Sequence, residues 1–332
     1  MTDENTTFDY VTDYEDQLCR KEEVVKIRSI VIPICFTAVV VLSCIGNILV
    51  LVILALYEGL KSLTNVFILN LALSDLLFTF KLPFWASYYI WGWTFGEFFF
   101  YVGFYSSVLF LTLMTVQRYM AVVHPLSDWE RCRGLSVSSF IVWILSGTAA
   151  LLGSLHSEVM IESDSQYCEY GSVEWKSGIA YFQNAFFFIA FVIMGYCYGR
   201  MLWMITKSRT NKRHKTVRLI FCITLVFFIS WAPYNIVMFI KSLTFHPFTD
   251  CEVSKSVDYA YYACRMIALS HCCLNPVFYV FVGVKFRNHL KMILQKIFKK
   301  KKNLNSSQAT QAEISRWVQC TKRKLNSENI QL

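Results

Sequence analysis

Seven stretches of this 332-residue chain are each long and apolar enough to cross a bilayer, a repetition that excludes almost every soluble fold. They run near Ser29–Leu56, Thr64–Ile90, Phe98–Val123, Gly134–His156, Gly178–Ile205, Thr216–Leu243 and Val257–Val282. Each reaches the roughly 20 residues that about 30 Å of hydrocarbon demands. The sixth contains FCITLVFFISWAPY (Phe221–Tyr234), with a proline inside the apolar run. Proline removes a backbone donor and bends a helix, which a bilayer-embedded bundle tolerates because neighbouring helices satisfy the freed groups. Hydrophobic residues make up 55% of the chain and charged residues 17%, a balance on which a water-soluble core would aggregate. The pattern predicts an all-α fold, a seven-transmembrane helix bundle.

Orientation follows from Lys and Arg, which are retained on the cytoplasmic side. Placing the C-terminus inside puts 23 of them on the inner face and seven outside, with Lys81 and Arg265 inside spans. The first span alone votes the other way, because Arg20, Lys21, Lys26 and Arg28 precede it and only Lys61 follows closely. The later loops decide for an extracellular N-terminus and a cytoplasmic C-terminus. The net charge of +9 is then a sidedness signal facing anionic lipid, and nucleic acid is not a partner it indicates. Four segments result: an acidic outer tail over 1–28, the bundle over 29–282, a membrane-surface helix over 283–298 and a disordered cytoplasmic tail over 299–332.

The surface helix rests on Phe286, Leu290, Ile293, Leu294 and Ile297, which recur at helical spacing against Lys285, Arg287, Lys291 and Lys296. No basic n-region with a cleavage site opens the chain, so the first span is expected to serve as the targeting signal. Asn5-Thr6-Thr7 is a glycan acceptor that faces outward in this topology, whereas Asn305-Ser306-Ser307 lies inside and stays bare. Cys320, close to Lys322, Arg323 and Lys324, is an acylation site or a plain thiol.

Several polar residues sit where lipid should exclude them. A charge near mid-membrane costs about 2.5–3.5 kcal/mol on insertion scales, so Asp75 in LNLALSD demands a partner or an ion. Asn47, Ser107 and Asn275 could converge on it, as a cation site or as a structural hydrogen-bond cluster. The last span ends in Asn275-Pro276-Val277-Phe278-Tyr279, where proline loosens the helix and Asn and Tyr can exchange partners between two packings. Trp231-Ala232-Pro233 supplies a second bend, and Gln117-Arg118-Tyr119 sets a permanent guanidinium at the inner end of the third span.

With these triplets at those helix ends, residues 29–298 resemble the rhodopsin-like G-protein-coupled receptors. Asn47 in GNILV, Asp75 and Trp143 also stand where that family places its signatures. Leu82-Pro83-Phe84-Trp85, Trp91-Gly92-Trp93, Cys19 and Cys251 look like the chemokine-receptor branch. Within that branch KRHKTVRLIFCITLVFFISWAPYN, SHCCLNP and VFVGVKFRNHL are most similar to the lymphotactin (XC-class) receptors. The resemblance implies a basic, lymphotactin-like chemokine ligand outside, a heterotrimeric G protein of the inhibitory class inside, and arrestin as a further partner. It implies a switch of Gln117, Arg118, Tyr119, Tyr198, Trp231, Pro233, Asn275, Pro276 and Tyr279, with Tyr198 and Tyr279 closing around Arg118. It implies a sodium ion held by Asp75, Ser107 and Asn275, no other cofactor, a Cys19–Cys251 bond tying the outer tail to the seventh helix, and a β-hairpin in the second outer loop.

Independently of that likeness, residues 1–19 hold Asp3, Glu4, Asp9, Asp13, Glu15 and Asp16 with no Lys or Arg. Such a tail attracts cations over a Debye length, or serves solubility alone. Tyr10 and Tyr14, flanked by acids, have the surroundings expected of sulfation sites. Lys81 and Arg265 lie in outer halves of their spans, facing a cavity or snorkelling to the headgroups. A cationic pocket walled by Trp85, Tyr88, Tyr89, Tyr234, Tyr261 and Tyr262 suits an acidic or hydroxyl-bearing ligand end, although these aromatics are equally consistent with helix packing.

The chain also departs from the resemblance. Cys168 should meet a cysteine at the outer end of the third helix, and that helix has none. Counting forward from Trp93 puts the missing residue at Phe100, whereas counting back from Arg118 puts it at Trp93. The seven-residue difference is about two turns, or ~10 Å, as a deletion would leave. Cys264 is an alternative partner for Cys168. Gln117 replaces an acid beside Arg118, and Ala190 stands where relatives carry a fifth-helix proline. No HExxH, GxSxG, phosphate loop or metal-spaced Cys/His set points to an enzyme, and no inverted repeat points to a transporter. A non-signalling scavenger receptor shares the outer face and remains the alternative function.

Overall fold

The computed structural model describes residues 22–60, 62–91, 98–124, 135–162, 165–207, 214–243, 251–282, 286–296, 298–299, 308 and 311–312. The expectations for Asn5, Tyr10, Asp13, Tyr14, Cys19, Trp93, Cys320 and nearly all of the tail beyond 299 fall outside that set. The side chains of Trp85, Tyr88, Tyr89, Cys168 and Cys251 fall outside it as well. Residues 1–283 form one compact unit and residues 284–332 another.

In the first unit α1 (Glu22–Ile53) runs into a π-helical turn, Leu54–Glu58. Gly59 stops it with φ 63°, a left-handed conformation that glycine alone adopts without steric cost, and its N–H donates to Leu54 O at 2.8 Å. There follow α2 (Leu63–Trp91), α3 (Phe98–Val123), α4 (Leu135–Ser154), α5 (Val173–Lys207) and α6 (His214–Leu243). Between α4 and α5, β1 (Ser157–Glu162) and β2 (Ser165–Tyr170) form an antiparallel hairpin with Ser157 opposite Tyr170. The expected hairpin is therefore present. Six of these helices, α1 to α6, are long and apolar enough to cross a membrane.

The seventh expected span is split into α7 (Cys251–Leu269) and α8 (His271–Val282). Ser270 Oγ donates to Ile267 O at 2.7 Å, Cys272 Sγ to Leu269 O at 3.1 Å and Cys273 Sγ to Ser270 O at 3.0 Å. His271 Nδ1 lies 2.7 Å from Ala268 O. Four successive polar side chains thus compete for carbonyls that a regular helix would use, and the backbone tightens to three-residue bonds, Ser270 N to Ile267 O and Cys273 N to Ser270 O, each at 3.2 Å. By contrast, α5 runs as one helix through buried Ala190, with no bulge where a proline is missing.

Helix α3 is the axis of the bundle: it packs on α2, α4, α5 and α6, and 72% of its most apolar stretch is buried. Large apolar side chains on α1, α4 and α5, such as Ile34, Phe140 and Phe188, are exposed, as a lipid-facing surface requires. Glycines mark the closest approaches. A Cβ on Gly46 would lie 2.8 Å from Pro276 Cγ, and one on Gly103 would lie 2.8 Å from Phe78 Cβ. In the second unit a helix covers residues 286–296, with Phe286 buried and Arg287, Lys291 and Lys296 exposed, as the amphipathic pattern predicts.

Candidate signalling core

Asp75, on α2, is fully buried, and its Oδ2 accepts a hydrogen bond from Asn275 Nδ2 of α8 at 2.8 Å. Its Oδ1 has no hydrogen-bond partner among the described residues, and His271 Nε2, equally unpartnered, lies 3.6 Å away. Thr79 donates to the Asp75 carbonyl at 2.6 Å and shares a 2.6 Å bond with Ser43. The two other polar residues expected at Asp75 are turned elsewhere. Ser107 pairs with Ser74 at 2.8 Å, because the Ser74 hydroxyl faces α3 and also donates to Gly103 O at 3.0 Å. Asn47 donates to Cys272 O at 2.9 Å and to Ser43 O at 3.0 Å, joining α1 to α8 through the tightened backbone.

Aromatic contacts extend outward from this centre. His271 sits among Phe78, Phe227 and Trp231 at ring-centroid distances of 5.2, 5.3 and 5.3 Å. Trp231 is fully buried, 4.5 Å from Phe104 and 5.7 Å from Tyr234. Tyr234 in turn packs 5.6 Å from Tyr261, whose hydroxyl accepts from Arg265 Nη1 at 3.2 Å. Lys241 Nζ lies 4.5 Å from the Tyr261 ring and 2.6 Å from Asp258 Oδ1, tying α6 to α7. An unbroken series of contacts therefore runs from Arg265 through Tyr261, Tyr234, Trp231 and His271 to Asp75 and Asn275.

At the other end of α3, Arg118 donates through Nη2 to Thr64 Oγ1 of α2. Gln117 is buried, and its Oε1 has no partner among the described residues. The Tyr198 hydroxyl lies between Thr115 at 3.2 Å and Thr224 at 3.1 Å, bridging α3, α5 and α6. Tyr119 is within 3.3 Å of His124, and Tyr279 is buried. Pro276 packs against Gly46, and Pro233 lies inside α6.

Comparison with known proteins decides what this architecture serves. The profile of the 7 transmembrane receptor (rhodopsin family) matches residues 46–279. Human chemokine XC receptor 1 is 41% identical, over 89% of this chain and 90% of its own length. Its mouse counterpart is 40% identical over 86% and 90%, and human C-C chemokine receptor type 1 is 36% identical over 89% and 90%. The chain belongs to the chemokine receptors of the rhodopsin family. It is a multi-pass plasma-membrane receptor rather than an enzyme.

Of the two placements open to Lys81 in this receptor, the structure supports the enclosed one: the residue is 1% exposed inside the bundle and does not snorkel to the headgroups. Cys264, the alternative partner for Cys168, is a free cysteine. The Asp75 centre fits a sodium ion in part. Its buried, unpartnered carboxylate oxygen fits a hard cation, and Asn275 is placed beside it; Ser107 contacts Ser74 instead. Asp75 with Asn275 would hold the ion, which would supply the counter-charge that the carboxylate lacks.

His271 is not among the site residues that the sequence suggests. The available signal was its place four residues before Asn275, which puts both on one helical face. Lys241, Asp258 and Thr64 carried no such signal, because their roles depend on which helices meet.

Proposed function

We propose that the receptor binds a basic chemokine of the XC class at its outer face and activates a heterotrimeric G protein of the inhibitory class, driving calcium signalling and chemotaxis. The observation that carries this reading is the contact series from Arg265 to Asn275. It joins a cationic outer cluster to the two proline-bearing segments, so a contact at one end can bias helix packing at the other. In this reading the N-terminus is extracellular and the acidic tail, with Asp13 and the tyrosines Tyr10 and Tyr14, steers the basic ligand inward. Arg265, Lys81, Tyr234 and Tyr261, with Trp85, Tyr88 and Tyr89, then meet an acidic or hydroxyl-bearing ligand end. Arg118, with Tyr119, Tyr198 and Tyr279, faces the G protein and afterwards arrestin; Asp75 and Asn275 hold sodium at rest. The reading includes a Cys19–Cys251 bond, a glycan on Asn5 and the four segments defined above. The relatives' names, which are those of chemokine receptors, support the ligand class.

Cells expressing the full chain test it. Saturable binding of an XC-class chemokine and calcium release that is abolished by ADP-ribosylation of the inhibitory-class α-subunit are expected. Binding with uptake but neither response would replace signalling by scavenging, and absence of binding would remove the ligand assignment.

A further inference from the structure

The β1–β2 hairpin lies in the loop between α4 and α5, and α3, residues 98–123, contains no cysteine to bond Cys168. In β2, Cys168 stands two residues before Tyr170. The Tyr170 hydroxyl lies 2.7 Å from the hydroxyl of Tyr101, on the first turn of α3. Tyr101 is held rigidly for this contact. It is 6% exposed, its ring lies 5.2 Å from Phe100 and stacks 6.0 Å from Tyr105, and Gly153 of α4 makes room for it. A Cβ on Gly153 would come within 3.2 Å of both Cδ2 and Cε2 of that ring. Phe100, where a forward count from Trp93 places the missing cysteine, instead packs its ring into the core, 5.4 Å from Phe78 and 6.1 Å from Trp231.

We propose that the Tyr101–Tyr170 hydroxyl pair is the clamp that seats the hairpin on the third helix, taking the place of a covalent bond between them. Reach suits tyrosines to this contact. A disulfide requires Cα atoms within about 4.4–6.8 Å, whereas two phenol rings meeting through their hydroxyls join backbones that lie further apart. The base of the hairpin is closed separately: Gly171 N–H donates to His156 O at 3.1 Å, and His156 stacks on Trp175 at 3.5 Å. The clamp therefore controls how the hairpin lies over α3 and not whether the hairpin forms. Tyr101 and Tyr170 are positioning residues, and the consequence for ligand residence rests on the chemokine-binding reading above.

Hydrogen exchange of amides 157–170 in the ligand-free full receptor tests the clamp, with Tyr101→Phe, Tyr170→Phe and the double variant compared in the presence and absence of reductant. Phenylalanine keeps the packing against Gly153 and Tyr105, so the thermal midpoint of the bundle should stay at the wild-type value. Each single variant should raise exchange at the β2 end by ~5-fold, the double variant by no more than either single, and reductant should leave the wild-type protection intact. Wild-type exchange in the single variants, additive effects in the double, or loss of protection on reduction would each overturn the clamp. Chemokine dissociation, measured on the same proteins, should quicken in step with exchange. Altered exchange with no chemokine binding by any variant would leave the clamp standing and remove the ligand assignment alone. Altered exchange with unchanged dissociation would confine the clamp to loop structure and overturn its positioning role.

Discussion

Asn275 donates its side-chain amide to the Asp75 carboxylate across 2.8 Å, which fixes α8 to α2 where both side chains are buried. Only one carboxylate oxygen is satisfied in this way, and the other is left for a cation or for the nearby imidazole. Asp75→Asn keeps the shape of the site and removes its charge. Agonist affinity in the wild type should fall several-fold when choline chloride is replaced by sodium chloride, and in the variant it should be indifferent to the exchange. Ligand competition in the two salts measures this; a variant that keeps the full sodium effect would place the ion elsewhere.

His271 touches Trp231 with its ring and approaches Asp75 with Nε2, and these two functions can be separated. His271→Phe preserves a ring among Phe78, Phe227 and Trp231 and deletes both nitrogens, Nε2 and the Nδ1 that lies 2.7 Å from Ala268 O. Phenylalanine is somewhat larger than histidine, so stability should fall by about 1–3 kcal/mol. Agonist-driven G-protein activation should drop while chemokine binding persists. Equal loss of binding and activation would show that the imidazole serves packing only.

The glycines give a graded set of packing predictions. Gly46→Ala drives a methyl to 2.8 Å from Pro276, and Gly103→Ala drives one to the same distance from Phe78, with Phe78 Cα at 3.2 Å. Overpacking of this kind costs about 1–3 kcal/mol, and Gly103→Ala should cost more because backbone as well as side chain must move. Nothing lies within 4 Å of a Cβ on Gly147, inside α4, so Gly147→Ala should stabilise by roughly 0.5–1 kcal/mol through helix propensity. Thermal midpoints in detergent should rank Gly147→Ala above wild type, then Gly46→Ala, then Gly103→Ala.

Lys241, in the last turn of α6, and Asp258 of α7 join at 2.6 Å, with Pro233 earlier in one helix and the Ser270 break at the end of the other. Removing one partner from a largely buried pair costs more than the pair itself contributes, because it leaves the other charge poorly solvated. Lys241→Ala should lower the midpoint by the equivalent of about 2 kcal/mol and loosen the last turn of α6. Exchanging the two residues, Lys241→Asp with Asp258→Lys, should recover most of that loss. Failure of the exchange to recover it would assign the effect to the stacking of Lys241 on Tyr261.

Much of this was legible in the sequence, for a physical reason. Hydropathy alone placed the third span at Phe98–Val123, where α3 begins and ends, since the bilayer sets helix length. Proline and intramembrane charge likewise pointed to Pro233, Pro276 and Asp75 without any structure. The break at Ser270 was hidden because its cause is a run of side-chain bonds to carbonyls three residues back, which the apolar count does not register. Ser107 was assigned to Asp75 on depth, and depth does not say which way a hydroxyl turns. The anchoring tyrosines were hidden for a related reason, since a contact between Tyr101 and Tyr170 depends on how a hairpin folds back over the bundle.

Arg118 illustrates both sides of that limit and yields the last prediction. Gln117 beside it cannot form the ion pair that an acid would, and its Oε1 lies buried without a partner among the described residues. The guanidinium reaches across to Thr64 on α2, a hydrogen bond that joins two helices. A hydrogen bond from a charged donor contributes about 1.5–3 kcal/mol. Thr64→Ala should therefore raise ligand-free G-protein activation, and Gln117→Asp should lower it by giving Arg118 a local anion. In the combined variant the added aspartate should offset the missing threonine and return basal activity towards wild type. Nucleotide-exchange assays on ligand-free membranes measure all three; identical basal rates across them would show that Arg118 is not restrained by either residue.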